Sequence, residues 1–170
     1  AHATSTGVLF LFIGLMEERL QTRNIEDLGG IAYRAPVFAT FFAIAMLASV
    51  GLPGTSGFIG EFLIILGAIK FSTFIGLLAG TTLIIGVCYM LWMFQRVFFE
   101  KGKEKCEDFQ DLTGLEIITF VPVILLILGM GIFPQSFLEK IEPTAQQHIA
   151  QLTSVSASQV AETTVQKPGH

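Results

Sequence analysis

Residues 37–69 read VFATFFAIAMLASVGLPGTSGFIGEFLIILGAI, 33 positions that hold a single charged side chain, Glu61. As one straight helix at about 1.5 Å per residue the stretch would run about 50 Å, well beyond the ~30 Å hydrocarbon core of a bilayer. That length demands an interruption, and Gly51-Leu52-Pro53-Gly54-Thr55-Ser56-Gly57 supplies one. Proline removes a backbone donor and each glycine weakens a helix, so continuous helix is not expected across 51–57.

Working outward, positions 35–60, 71–95 and 117–138 contain no Asp, Glu, Lys or Arg, and each run is at least 22 residues long. A bilayer needs about 20 apolar residues in helix, so each run can span one. Lipid offers the backbone no water, so the spanning form is helix or closed barrel, and these unbroken runs lack the alternation of a barrel strand. Hydrophobic residues fill 52% of the 170 positions and charged ones 14%, the balance of a chain whose solvent is lipid. The expected fold class is an all-α polytopic transmembrane helix bundle with one discontinuous helix.

The chain divides accordingly. Residues 1–19 read as the end of a transmembrane helix, apolar from Ala1 to Met16 apart from His2 and small hydroxyl residues. Residues 20–35 form a polar loop with Arg23, Glu26, Asp27, Gly29-Gly30 and Arg34, and Pro36 then suits a first helical turn. The broken helix covers 36–70 and a full span covers 71–96, followed by a charged loop over 97–114. Thr113-Gly114-Leu115-Glu116 is a capping-box pattern ahead of the last span, 115–133, with Pro122 inside it and Pro134 after it. Residues 134–170 are a polar tail, with a short surface helix expected over Pro143 to Leu152 and disorder from Ser154. The start, AHATSTG, lacks Met and a basic leader and falls inside a helix, so the chain reads as a fragment and not as a signal peptide.

Basic residues orient the bundle. Arg19, Arg23, Arg34, Arg96, Lys101, Lys103 and Lys105 fall on one side if 37–69 crosses once, leaving Lys70 and the tail residues Lys140 and Lys167 on the other. The positive-inside rule places the first group in the cytoplasm and the tail in the periplasm. A re-entrant hairpin at 51–57 would separate the two basic loops, so a single discontinuous crossing is favoured. Cys106, in the second loop, is then expected to meet thiol reagents added from the cytoplasm, and Cys88, deeper in its span, is not.

The net charge of −4 is confined to loops and tail and implies no nucleic-acid partner. Cys88 and Cys106 form no CxxC pair, so no iron–sulfur cluster, zinc site or haem attachment is expected in this chain. The candidate for chemistry is Glu61. A charge at helix centre costs about 2.5–3.5 kcal/mol on insertion scales for Asp, Lys or Arg, and such groups face a bundle interior or a hydrated path. Lys70 lies near a span end and can snorkel to water. Glu61 instead follows the break, where freed amides of the second half-helix favour the carboxylate and desolvation favours the acid, a balance that a neighbouring charge could tip. The plain alternative is that Glu61 only holds helices together. His2 is more ordinarily a structural hydrogen-bonder, although an imidazole within the membrane can carry protons. His148 and His170 belong to the tail, and Trp92, Tyr89 and the many Phe residues suit packing and interface anchoring.

AHATSTGVLFLFIG (1–14), ERLQTRNIEDLGG (18–30) and LASVGLPGTSGFIGEFLIILG (47–67) together resemble the C-terminal helices of the antiporter-like subunits of respiratory complex I, the proton-translocating NADH:quinone oxidoreductase. The resemblance runs from Ala1 to about Phe137, and GLPGTSGFIGEF is its most specific part. Related subunits and the large subunits of Mrp-type antiporters usually carry Lys where this chain has Glu61, so Glu points to the subunit M branch. The resemblance implies a fourteen-helix fold with two discontinuous helices, of which this chain holds the end of helix eleven and helices twelve to fourteen. It makes Glu61 the key carboxylate of broken helix twelve and His2 a histidine of helix eleven on the central polar axis, both in a proton relay. It implies an enzyme complex in a bacterial inner membrane whose NADH, FMN, iron–sulfur clusters and quinone belong to partner subunits, with no redox centre or cofactor here. The implied partners are other membrane-arm subunits, the lipid bilayer and protons. Rival readings are a subunit of a Mrp-type sodium/proton antiporter or membrane-bound hydrogenase, or a non-conducting membrane scaffold in which Glu61 would tolerate neutral replacement.

Overall fold

A computed structural model describes residues 1–165, with side chains through Leu152. Lys167 and His170 lie outside the described residues. Among the described residues seven α-helices follow in order: α1 His2–Leu20, the single turn α2 Ile31–Arg34, α3 Pro36–Ser49, α4 Ser56–Phe71, α5 Thr73–Phe94, α6 Gly114–Ile132 and α7 Gln135–Val165. No strand occurs among the described residues.

The bundle is organised by stripes with helical spacing. On α1 the buried positions are Ser5, Val8, Leu9, Phe12 and Met16, and on α6 they are Phe120, Ile124, Ile127 and Gly131. Such i, i+3/i+4, i+7 spacing brings one face of each helix against its neighbours. Phe12 lies at the centre, fully buried, with its ring stacked on Phe120 at 4.2 Å and edge-on to Phe38 at 5.0 Å. Phe42, Phe94, Phe98 and Phe109 extend this aromatic core. By contrast Phe62, Leu63 and Ile64 on α4, and Phe74, Leu77 and Ile84 on α5, are exposed. Thr73–Phe99 and Gly114–Ile132 contain 18-residue stretches with mean hydropathies of 2.1 and 2.5 and are long enough to cross a membrane. Apolar faces of this length are stable in lipid or under further protein, and not in water.

The path of the broken helix follows from α5. Gly76, near the start of α5, packs closely on Ile69 of α4, while Phe94 and Phe98 at the other end meet Phe42 and Phe38 of α3. The helical run from Thr73 to Phe99 is 27 residues, about 40 Å, so Phe38 and Ile69 lie at opposite ends of the bundle. Residues 36–71 therefore cross once, with α3 and α4 running the same way. The last turn of this run, Gln95–Phe99, widens to i→i+5 bonding, with the Glu100 N–H donating to the Gln95 carbonyl at 3.1 Å.

One consequence is that the two basic loops share one end, and they interlock. The Lys103 N–H donates to the Gly29 carbonyl, and the Lys105 ammonium donates to Asp27 Oδ2 at 2.8 Å. Gly29 and Gly30 pass so close to Lys101 and Gly102 that a Cβ on either would strike backbone. Arg19 at the end of α1 donates to both oxygens of Glu116 at the start of α6, at 2.6 and 2.8 Å, and to the Gln110 carbonyl at 2.7 Å. Helix α3 has Ala35 at its N-cap, which offers no side-chain acceptor, and Asp111 from the second loop takes that role by accepting from the Val37 and Phe38 amides at 3.0 and 2.8 Å. The capping box forms as the pattern predicts, with Thr113 N–H donating to Glu116 and Glu116 N–H to the Thr113 hydroxyl.

Two expectations need correction. Cys106 is buried, 2% exposed, because the short Glu104–Cys106 turn points its sulfur inward to the Asp27 carbonyl at 3.9 Å, whereas Cys88 is exposed on α5. Helix α7 also runs on to Val165, past Ser154 where disorder was expected. The tail's Ala, Gln and Glu residues sustain helix, and Pro143 sits inside it.

Candidate functional site at the helix break

The break is built from two standard turns in succession. The Leu52 N–H donates to the Leu47 carbonyl at 2.9 Å and the Gly51 N–H to the Ala48 carbonyl at 3.4 Å, with Gly51 at φ +73. This is a Schellman termination, and the left-handed residue it requires is Gly51. Leu52-Pro53-Gly54-Thr55 then forms a β-turn closed by the Thr55 N–H on the Leu52 carbonyl at 3.0 Å. Proline at its second position and Gly54 at φ +92 in its third make it type II. The Thr55 hydroxyl donates to the same Leu52 carbonyl at 2.7 Å, so it does not cap α4, and the first-turn amides of α4 have no side-chain cap.

Helix α4 restarts hard against the end of α3, where a Cβ on Gly57 would collide with the Ala48 carbonyl. Glu61 lies in the second turn of α4. Side chains on a helix lean toward its N-terminus, so the Glu61 carboxyl reaches back into the break and lies on Gly51. Gly51 thus has two reasons to lack a side chain, its left-handed backbone and the carboxyl packed against it. About 20 Å of helix α3 separates this point from Pro36 and the loop face. Glu61 Oε2 and Ser56 Oγ are buried there without a hydrogen-bond partner among the described residues. Unpaired buried oxygens are costly, about 1–3 kcal/mol each in mutational terms, and concentrate where structure serves more than packing.

His2 is exposed at the start of α1, and its Nδ1 shares a hydrogen bond with the Thr6 hydroxyl at 3.1 Å. Seventeen residues of α1, about 26 Å, separate it from Arg19 at the loop face, which gives it a depth comparable to the break. No hydrogen bond or ion pair joins it to Glu61 among the described residues, so the two candidates stand apart. Lys70 is exposed in the last turn of α4. Sequence reasoning did not find Asp111, Gly131 or the Arg19–Glu116 pair. The uncapped Ala35-Pro36 start signals that a distant acceptor is needed for α3, but not which one. No group of three His, Cys, Asp or Glu side chains among the described residues could hold a metal ion.

The chain is 47% identical over 139 residues to NADH-quinone oxidoreductase subunit M of Rickettsia bellii, covering 81% of this chain and 28% of that protein. It is 39% identical over 140 residues to NADH-ubiquinone oxidoreductase chain 4 of Marchantia polymorpha, covering 82% and 28%. Among solved structures, a chain of respiratory complex I from Thermus thermophilus with bound NADH superposes with a TM-score of 0.79 at 40% identity, over 84% of this chain and 30% of that one. The chain thus spans less than a third of the length of these relatives. Residues 1–86, half of the chain and the part that contains α1, the break and Glu61, match the transmembrane family described as NADH:quinone oxidoreductase/Mrp antiporter, and the chain belongs to that family of membrane proteins.

Proposed function

We propose that this chain is part of a subunit of M type in the membrane arm of a proton-translocating NADH:quinone oxidoreductase, and that Glu61 relays protons there. The observation that carries the reading is the Glu61 carboxyl, with Oε2 buried and unpartnered against Gly51 at a break about 20 Å into the bundle. A discontinuous helix at membrane depth is tolerated where it is buried or lines a hydrated cavity, and its free amides and carbonyls suit a site where charge changes. Glu61 accepts a proton from one side of the break and releases it to the other, and the carboxyl returns to its starting state after each transfer. His2, at similar depth on α1, is the second carrier.

In this reading the chain supplies no cofactor site. NADH, FMN, iron–sulfur clusters and quinone reside in partner subunits, and the contacts of this chain are with other membrane-arm subunits and lipid. The interlocked basic loops face the cytoplasm of a bacterial inner membrane, in keeping with the excess of positive residues at that end. The family also includes Mrp antiporters. The glutamate at position 61 and the similarity to subunit M proteins favour the oxidoreductase.

The test is Glu61→Gln in the full-length protein within its assembled complex. We expect assembly to be retained and proton uptake into inverted vesicles per NADH oxidised to fall at least about tenfold, because Gln keeps the size of Glu but cannot release a proton. Glu61→Asp should keep a substantial part of the uptake, and electron transfer from NADH to an artificial acceptor should stay near normal. Wild-type pumping by assembled Glu61→Gln would leave Glu61 a structural residue and favour the scaffold reading.

A further inference from the structure

We infer that Gly131 on α6 is a positioning residue for the break, and through it for Glu61; the inference rests on the relay reading above. The buried stripe of α6 is a wall along the broken helix. Phe120 stacks in the aromatic core, Ile124 and Ile127 cluster with Ala48 at the end of α3, and Gly131 reaches the break. A Cβ on Gly131 would strike the Gly54 carbonyl oxygen and the Thr55 backbone. These are backbone atoms of the type II turn, so no side-chain rotation relieves the collision. Thr55 and Ser56, next along the chain, are buried at 3% and 5% exposure, whereas Leu52 and Pro53 are exposed, so the turn can yield only by shifting away from α6.

Turn and carboxyl are mechanically connected over a short distance. Thr55 is the N-cap residue immediately before α4, and Glu61 projects from the second turn of α4 back onto Gly51. Displacing the turn from α6 therefore moves α4 against the end of α3 and changes the space around the Glu61 carboxyl. The other end of α6 is fixed by the Arg19–Glu116 pair and by the capping box, so α6 cannot drift away to absorb an added methyl. Close packing converts such a change into displacement of the softer partner, which is the turn.

Gly129 provides an internal control. It lies two residues earlier on the same helix, and a Cβ built there meets nothing within 4 Å. Ala at either position raises helix propensity equally. Gly131→Ala should assemble, lower proton uptake per NADH about threefold or more, and displace the pH at which uptake half-falls, because the surroundings of the titrating carboxyl have changed. Gly129→Ala should match the wild type in all three. A merely structural role for Gly131 would lower the amount of complex and leave the uptake ratio and pH profile of the assembled fraction unchanged, and that result overturns the inference. Should Gly131→Ala fail to assemble, Ile127→Val thins the same wall by one methyl: a lowered ratio with a displaced pH profile supports the inference, and a wild-type ratio and profile overturns it. Glu61→Gln, measured in parallel, separates the two ideas. If it abolishes uptake while Gly131→Ala behaves as Gly129→Ala, only the positioning role fails. If it pumps normally, the relay reading itself fails.

Discussion

The loop end of the bundle and the helix break are built on opposite plans. At the loop end no buried side-chain oxygen or nitrogen among the described residues lacks a hydrogen-bond partner. Asp111 caps α3, Glu116 closes the capping box and binds Arg19, and seven phenylalanines interlock beneath them. At the break the core shrinks to Ala48, Ile124 and Ile127, the backbone turns on glycines, and two buried oxygens have no partner among the described residues. Satisfied polar groups and dense aromatic packing give a region one conformation. Unsatisfied ones, beside backbone that turns on glycines and packs on a core of three small or aliphatic side chains, suit a site where charge or hydration changes. The contrast teaches that the tightly packed end and the proposed relay site lie about 20 Å apart along the same helices, so that one can be damaged without the other.

The strongest way to break the comparison is to damage the stable end. Phe12→Ala removes the ring that stacks on Phe120 and meets Phe38 and Phe42 edge-on. Large-to-small changes of this kind cost about 3–5 kcal/mol in soluble cores. Within a bilayer the transfer part weakens while the lost packing contacts remain, so about 3 kcal/mol is expected. The outcome should be a loss of assembled protein and faster thermal inactivation, while the fraction that does assemble pumps with a normal ratio per NADH. Phe62→Ala, at an exposed position on α4, should leave the fold of this chain unaffected. Equal loss of assembly in both variants would contradict the division of roles.

A middle-sized effect is expected at the Arg19–Glu116 pair, whose side chains are 19% and 23% exposed. Hydrogen bonds to charged groups contribute about 1.5–3 kcal/mol, and partial exposure pulls the value down, so Arg19→Gln should cost about 1–2 kcal/mol. Glu116→Gln also weakens the capping box and should cost somewhat more. A double-mutant cycle read by thermal inactivation of the assembled complex should return a clear coupling between the two positions. Additive effects would mean that the pair is ornamental and that packing alone holds α1 to α6.

Much of this architecture was legible in the sequence, and the reasons are local. A run of 33 residues with one charge is too long for one straight helix across a bilayer, and Gly51, Pro53, Gly54 and Gly57 mark where it yields. Each has a structural counterpart: the Schellman glycine, the type II turn and the close approach to Ala48. The Thr113–Glu116 capping box was equally readable, because both partners lie within one turn. What the sequence concealed was non-local. Asp111 looked like one more loop charge, although it caps a helix 73 residues away. Gly131 carried no signal in the sequence, because its contact with Thr55 exists only after α6 has packed on the break. Cys106 followed the same logic in reverse, since a charged loop around it suggested exposure and the fold turned its sulfur inward.

The smallest effect tests how tightly the two loops are locked, and Cys106 is the reporter. Its sulfur lies under the strand of loop that holds Asp27, and Asp27 is tied by Lys105 at 2.8 Å and by the Thr22 hydroxyl at 3.0 Å. The hydrogen bond from Lys105 holds the Asp27 carboxyl below its ordinary value of 3.8, with Thr22 adding to the shift. A depressed carboxyl contributes stability that is present above its unfolded-state value and is lost only as pH falls through the lower folded value. At neutral pH the contact is therefore fully made, and modest changes of pH around neutrality should not loosen it. Asp27→Asn removes the charge at all pH values. Because the Lys105 and Asp27 side chains are 56% and 35% exposed, solvent screens the pair and the lock is weak, and the variant should raise the labelling rate of Cys106 by a membrane-impermeant maleimide only about one-and-a-half- to fivefold. After correction for the thiolate fraction, the wild-type rate should be flat across neutral pH. The face from which the reagent reaches Cys106 also tests the orientation: labelling from the cytoplasmic side agrees with the basic loops facing inward, and labelling only from the other side inverts the bundle. A wild-type labelling rate in Asp27→Asn would mean that burial of Cys106 owes nothing to the ion pair, and that the Phe109 and Leu112 packing beside it holds the loop closed.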